Sequence, residues 1–298
     1  MIRPTLDRLR HSLDRQGTPG VYTLLLIQQF LSSGTYIVAK AVTGSMDALT
    51  LTLVRSLLSA PLMALMLLLR GRPVRIHRED LGLVLFLSLL AIPFNQFFFL
   101  YGMHFTIPSN AALLYATTPI LVLLLSRIFL KEPLTRAKLL GVGLGFIGVL
   151  IVIFERGLDA SMQYVAGNLL VGVAVIAWGF YSVFGKRLIA RYGAVHASAV
   201  TLILGTVFFL PVGAVPMLSF PFASLSAGEW GEIFYLAIVT SVVSYFLWNF
   251  ALSRIEAGKA ALFANLQPVI TTLLAVTLLG QEVTPAFVVG GSIALTGV

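Results

Sequence analysis

From residue 21 onward the chain is a succession of apolar runs, each close to 20 residues long, separated by short charged joints. A bilayer core of about 30 Å needs roughly 20 apolar residues per helix, and in hydrocarbon a spanning segment must satisfy its own backbone hydrogen bonds. Windows of that kind fall at 21–40, 47–69, 81–103, 108–130 and 137–154, then at 165–184, 196–217, 229–251, 260–280 and 285–298. The last holds 14 residues, about 21 Å of helix, short of a full crossing. With 58% hydrophobic and 11% charged residues, against about 25% charged in an ordinary soluble domain, the chain predicts an all-α membrane protein of ten transmembrane helices.

Of the 20 Lys and Arg residues, 17 gather on one side once the N-terminus is placed in the cytoplasm. Lys40 and Arg156 fall opposite and Arg55 lies inside a span, so the positive-inside rule predicts both termini cytoplasmic. The net charge of +8 is thereby read as a topology signal and not as a nucleic-acid surface. Residues 1–20 form a basic cytoplasmic head, and the apolar run behind them has no small-residue cleavage site, which predicts a retained helix. Cysteine is absent, the four histidines show no ligand spacing, and no cofactor is expected.

The chain also repeats itself. Ala111-Ala112-Leu113-Leu114, Pro119, Lys131-Glu132, Gly141 and Gly148-Val149 return as Ala260-Ala261-Leu262-Phe263, Pro268, Gln281-Glu282, Gly290 and Gly297-Val298, an offset of 149 on both sides of a one-residue slip. Tyr36 to Lys40 is matched more weakly by Ser182 to Lys186. Residues 21–154 and 155–298 are therefore two copies of a five-pass unit. An odd number of passes turns the second copy upside down, and inverted repeats typify secondary transporters with a midplane site between the halves. A central cavity between the repeats is the expectation.

These residues resemble the EamA family of the drug/metabolite transporter superfamily, most closely its bacterial exporters of aromatic and other amino acids. The resemblance implies eight helices around the cavity with the fifth and tenth outside. It also implies export of amino acids or related metabolites across the bacterial inner membrane by facilitated or exchange transport, in a monomer or weak dimer. Ser32 departs from the Trp-Gly pair such proteins often carry, which the second copy keeps as Trp178-Gly179.

Polar groups in a span are costly unless they face the bundle or water. Gln29, Ser33, Tyr36 and Lys40 share one helical face of the first segment, and Trp178, Tyr181, Ser182 and Lys186 form the related group in the sixth. Arg55 sits about eight residues into its helix, roughly 12 Å along it, where its planar fork could take a substrate carboxylate or be neutralised by Asp47 or backbone carbonyls. Asn95, Phe98 and the neighbouring Gln96 stand in the third segment; the two amides point apart on an α-helix, so only one is expected at the centre. Tyr115 and Thr118 in the fourth, Ser244, Tyr245 and Trp248 in the eighth, and Asn265 and Gln267 in the ninth complete the candidate substrate site, with Pro119 and Pro268 as paired gating kinks.

Gly143 to Gly148 matches GxGxxG, but the flanks lack a βαβ unit, and close helix packing through Gly141 and Gly145 explains the cluster better. Glu132 and Glu282 lie at membrane ends, where capping is the simplest role. No Asp or Glu lies near the middle of a span, so zwitterions or anions fit better than cations. A broader drug or phosphorylated-metabolite carrier is the runner-up. A membrane-embedded enzyme is the distant alternative, without a DxxD or HExxH constellation to support it.

Overall fold

The computed structural model describes residues 18–71, 75–106, 108–155, 162–279 and 285–297. The basic head up to residue 17 and the Gln281-Glu282 pair lie outside the described residues. Within them, α1 is Thr18–Val42, α2 Ala48–Leu69, α3 Arg78–Phe105 and α4 Asn110–Leu130. Next come α5 Arg136–Glu155, α6 Met162–Tyr192, α7 Ala194–Ser219 and α8 Ala227–Leu252. α9 runs from Ala257–Leu262 through a 3-10 turn at Phe263–Asn265 into Leu266–Leu279, and α10 is Pro285–Thr296.

Seven helices, α1 to α4 and α6 to α8, are long and apolar enough to cross a membrane; α5, α9 and α10 are helical but not among the seven. α10 has 12 residues, about 18 Å at 1.5 Å per residue, and α9 is divided by its tight turn. The ten windows thus correspond to helix, while the multi-pass character rests on seven spans.

Local chemistry sets the ends. The Asp47 carboxylate accepts from the Thr50 amide at 2.9 Å and caps α2, so Asp47 serves its own helix and not Arg55. Ser226 and Glu229 close a capping box on α8. Lys131 adopts the left-handed conformation that ends α4, with φ 57°, and Gly193, with φ 81°, separates α6 from α7 where a β-carbon would be strained. The hydroxyls of Thr52, Ser56 and Ser59 bond back to carbonyls one turn earlier on α2, which lets polar residues pack there without leaving unpaired groups.

The packing maps onto itself when the halves are exchanged. α2 lies on α7 and α5 on α10; α1 touches α8 and α9, as α6 touches α3 and α4. The α5–α10 contact is tight, since a β-carbon on Gly141 would come within 2.5 Å of the Gly297 carbonyl oxygen. Within the GxGxxG-like stretch, Gly148 likewise meets the α10 backbone at Gly290 and Ala294 and Gly145 meets Asn265 of α9, so these two serve helix contact, while the space beside Gly143 is open.

Candidate functional site

Both α3 and α8 change winding midway. Residues Leu90–Gln96 and Tyr235–Ser244 are π-helical, a rare form that concentrates at functional sites. In α3, Pro93 falls inside the segment and removes one amide donor. In α8, the Thr240 and Ser241 hydroxyls both donate to the Leu236 carbonyl, at 2.6 and 3.0 Å.

Between the halves lies a cavity of about 100 Å³, room for several waters or one small solute. Its walls come from α1, α2, α3, α4, α6, α8 and α9, with no lining residue from α5, α7 or α10 among the described residues. α7 is thus the one of the eight expected wall helices that stays behind, packed on α2. Of the expected site residues, Gln29, Tyr36, Arg55, Asn95, Tyr115, Thr118, Trp178, Ser244, Tyr245, Trp248 and Gln267 line this space.

The others do not, each for a local reason. Ser33 donates to the Gln29 carbonyl of its own helix at 2.7 Å. Lys40 holds the chain beyond α3, donating to the carbonyls of Met103 at 2.9 Å and Thr106 at 2.8 Å. Phe98 stacks on Phe94. Tyr181 stacks behind Trp178, its hydroxyl taken by Asn249 at 3.0 Å and Thr201 at 3.2 Å. Asn265 is buried against Gly145 of α5. Pro119 and Pro268 stand just past breaks in their helices, at Thr117 and at the 3-10 turn, and touch the cavity only through their neighbours Thr118 and Gln267.

Gln28, Ser32, Thr35, Gln96, Phe99, Thr240 and Ala264 also line the cavity. On α1 the wetted face is wider than the one expected, since Gln28, Ser32 and Thr35 join Gln29 and Tyr36. Asn95 and Gln96 both face inward, against the expectation of one, because a π segment turns less per residue than an α-helix and keeps consecutive side chains closer together.

The wall repeats by position. Asn95, Gln96, Phe99, Tyr115 and Thr118 recur 149 residues on as Ser244, Tyr245, Trp248, Ala264 and Gln267, and Ser32 recurs as Trp178, with all twelve lining the same space. Across the halves, the Tyr36 hydroxyl donates to Gln267 Oε1 at 2.8 Å and Asn95 Nδ2 to the Ala174 carbonyl at 2.9 Å; within the first half, Asn95 Nδ2 also donates to the Tyr115 hydroxyl at 3.1 Å. One wall is an aromatic box, with Trp178 5.3 Å from Tyr245 and 5.5 Å from Trp248 between ring centroids. Trp248 Nε1 donates to Ser182 Oγ at 3.2 Å.

Arg55 is the basic group of the cavity. It is 6% exposed; its Nε donates to Ser241 Oγ and its Nη2 to Thr240 Oγ1, both at 2.7 Å. Among the described residues it forms no ion pair. Other lining atoms are buried without a hydrogen-bond partner among those residues: Gln28 Oε1, Gln29 Oε1, both amide atoms of Gln96, Thr118 Oγ1 and Ser244 Oγ. Buried polar groups are normally paired, so this wall is built for a polar occupant or water.

At one end of the bundle, Glu132 ties the halves together. Its carboxylate accepts from Lys186 Nζ at 2.9 Å and from the amides of Ala257 at 2.9 Å and Gly258 at 3.1 Å, capping α9. Lys186 also donates to the Ile255 carbonyl at 2.8 Å, and Lys138 pairs with Glu256 at 2.5 Å. Burial alone would raise the Glu132 carboxyl, but Lys186 and the two amides hold it below the ordinary carboxylate range. Glu282, its counterpart, lies outside the described residues.

A solved crystal structure superposes with a TM-score of 0.78, covering 93% of this chain and 96% of its own at 20% sequence identity, a likeness of fold. Among curated relatives, the uncharacterized transporter YyaM of Bacillus subtilis is 28% identical over 282 residues, 93% of this chain and 92% of its own. A probable terminal-alkyne amino-acid exporter of Streptantibioticus cattleyicolor is 27% identical over 189 residues, 63% of this chain and 62% of its own. The profile of the EamA-like transporter family matches residues 20–154 and again 165–298, one match for each copy of the repeat; this multi-pass membrane protein therefore belongs to the EamA-like transporter family.

Proposed function

We propose that the protein exports amino acids, aromatic ones among them, or closely related small zwitterions and anions across a bacterial inner membrane. The two five-helix repeats are inverted, ten helices cross the bilayer, both termini are cytoplasmic, and the halves expose the central cavity alternately, bending near Pro119 and Pro268. The observation that carries this reading is Arg55, a permanently charged fork in the cavity wall without a carboxylate partner among the described residues. A substrate carboxylate supplies that partner. The amides of Gln29 and Gln96 suit its polar remainder, and the Trp178–Tyr245–Trp248 box its apolar side chain.

The exporter of Streptantibioticus supports an amino-acid substrate, and the exchange symmetry of the helix packing supports the inverted pair. The Glu132–Lys186 clasp lies at the end assigned to the cytoplasm and closes that side. A phosphorylated-metabolite carrier would need two or more basic groups converging in the cavity; Lys40 is engaged with carbonyls outside the lining, which favours the monoanionic reading. Counterflow of radiolabelled amino acids in proteoliposomes, with and without a pH gradient, tests the proposal. Saturable exchange of at least one amino acid supports it, and an absence of solute movement across a broad panel sinks it.

A further inference from the structure

Arg55 poses an electrostatic question for the carrier between substrates. A charge at membrane depth is retained only where it is paired, hydrated or bound to a counter-ion. A buried lysine can shed its proton; a guanidinium cannot. Its two described partners do not neutralise it. The Thr240 and Ser241 hydroxyls each send their own proton to the Leu236 carbonyl, so their oxygens face Arg55 as neutral acceptors and leave the full positive charge in place.

Nη1 makes no hydrogen bond to a described residue. The same cavity holds Ser244 Oγ and Gln96 Nε2, both buried and unpartnered among the described residues. These are donors, and none of the described lining residues is a carboxylate that would compete for the charge.

We propose that the empty carrier holds a resident small monovalent anion, chloride in a cell, on Arg55, beside the donors of Ser244 and Gln96, and that substrate enters by displacing it. The cavity of about 100 Å³ admits chloride, nitrate or acetate, and gluconate, whose five hydroxyls must shed their water to enter, is the weakly held reference anion. The displacement half of the inference rests on Arg55 being the seat of the substrate carboxylate; the binding half stands on the cavity alone.

The purified full chain in lipid nanodiscs, melted at constant ionic strength while gluconate is replaced by chloride, nitrate or acetate, tests anion binding. Wild type should gain about 2–4 °C in Tm, rising with the logarithm of anion concentration once it exceeds Kd, and Arg55→Gln should show no anion dependence. Iodide quenching of tryptophan fluorescence checks the place without relying on that variant: Trp178 and Trp248 line the cavity and Trp230 does not, so in wild type chloride should protect the cavity pair from iodide. In counterflow, chloride at the Kd fitted from the concentration dependence of the melting shift should double the apparent KM and leave the maximal rate unchanged.

No anion dependence in wild type, or the same dependence in Arg55→Gln, overturns the resident anion even if Arg55→Gln transports poorly. An anion response lost in Arg55→Gln, with an amino-acid KM unaltered by that substitution, would keep the anion site and rule out Arg55 as the seat of the substrate carboxylate.

Discussion

The two halves of the cavity wall use the same positions to present different chemistry. Ser32, Asn95, Gln96 and Phe99 in the first half face Trp178, Ser244, Tyr245 and Trp248 in the second. The first half adds Gln28, Gln29 and Arg55, and α7, which packs on α2, has no lysine or arginine. The first half thus carries the cation and most of the amides beside its own aromatic trio of Tyr36, Phe99 and Tyr115, while the second carries both tryptophans with Tyr245 and a single amide, Gln267. A duplicated backbone supplies two equivalent surfaces that can slide past a common centre; the divergent side chains give a solute one preferred orientation within it.

The largest expected break in this comparison is Arg55→Gln. Hydrogen bonds to charged groups are worth about 1.5–3 kcal/mol, so counterflow kcat/KM should fall about 10- to 150-fold. Retention of wild-type kcat/KM would remove the first half's cation from recognition. Next is Trp178→Leu in the second half. An aromatic pair contributes about 0.5–1.5 kcal/mol beyond area burial, so competition by aromatic amino acids should weaken about 3- to 10-fold, and competition by alanine much less. Equal losses for both would mean the box shapes the bundle and not the ligand.

A swap probes whether matched positions are interchangeable. In Asn95→Ser with Ser244→Asn, the composition of the wall is conserved but the amide bonds to Tyr115 and the Ala174 carbonyl are lost. At about 1 kcal/mol per hydrogen bond, the double variant should lose roughly 1–2 kcal/mol of stability in thermal or denaturant unfolding. A neutral swap would show the halves to be chemically equivalent there.

The smallest effect on substrate affinity is expected at the clasp. The Glu132 carboxyl is held below its ordinary range, so its stabilisation is complete above the unfolded-state value and is lost as pH falls through the lowered folded-state one. Glu132→Gln should flatten the acid limb of a Tm-against-pH profile and speed reorientation, leaving KM close to wild type. An unchanged acid limb would show the clasp to be dispensable for folding.

Much of this was legible in residues alone. The windows found the helices because hydrocarbon demands long apolar runs, and the 149-residue offset found the repeat because both copies kept their Ala-Ala-Leu, proline and glycine spacing. Arg55 was legible because a charge in a span is expensive. Thr240 and Gln96 were less so. An α-helical wheel turns Gln96 away from Asn95, and nothing in the run Leu90–Gln96 other than Pro93 marks a π turn. Lys40 and Ser33 misled for the opposite reason: their spacing put them on a polar face, but each had a carbonyl within reach.

Periodicity and transfer cost act within one segment, so the sequence by itself determined the helices, their membrane character, the duplication and the single deep cation. Which polar face turns inward depends on winding and on what stands opposite. Only the tertiary structure could decide that Arg55 of the first copy would rest on Thr240 and Ser241 of the second, because those groups lie 185 and 186 residues away and meet only once the two halves close on each other.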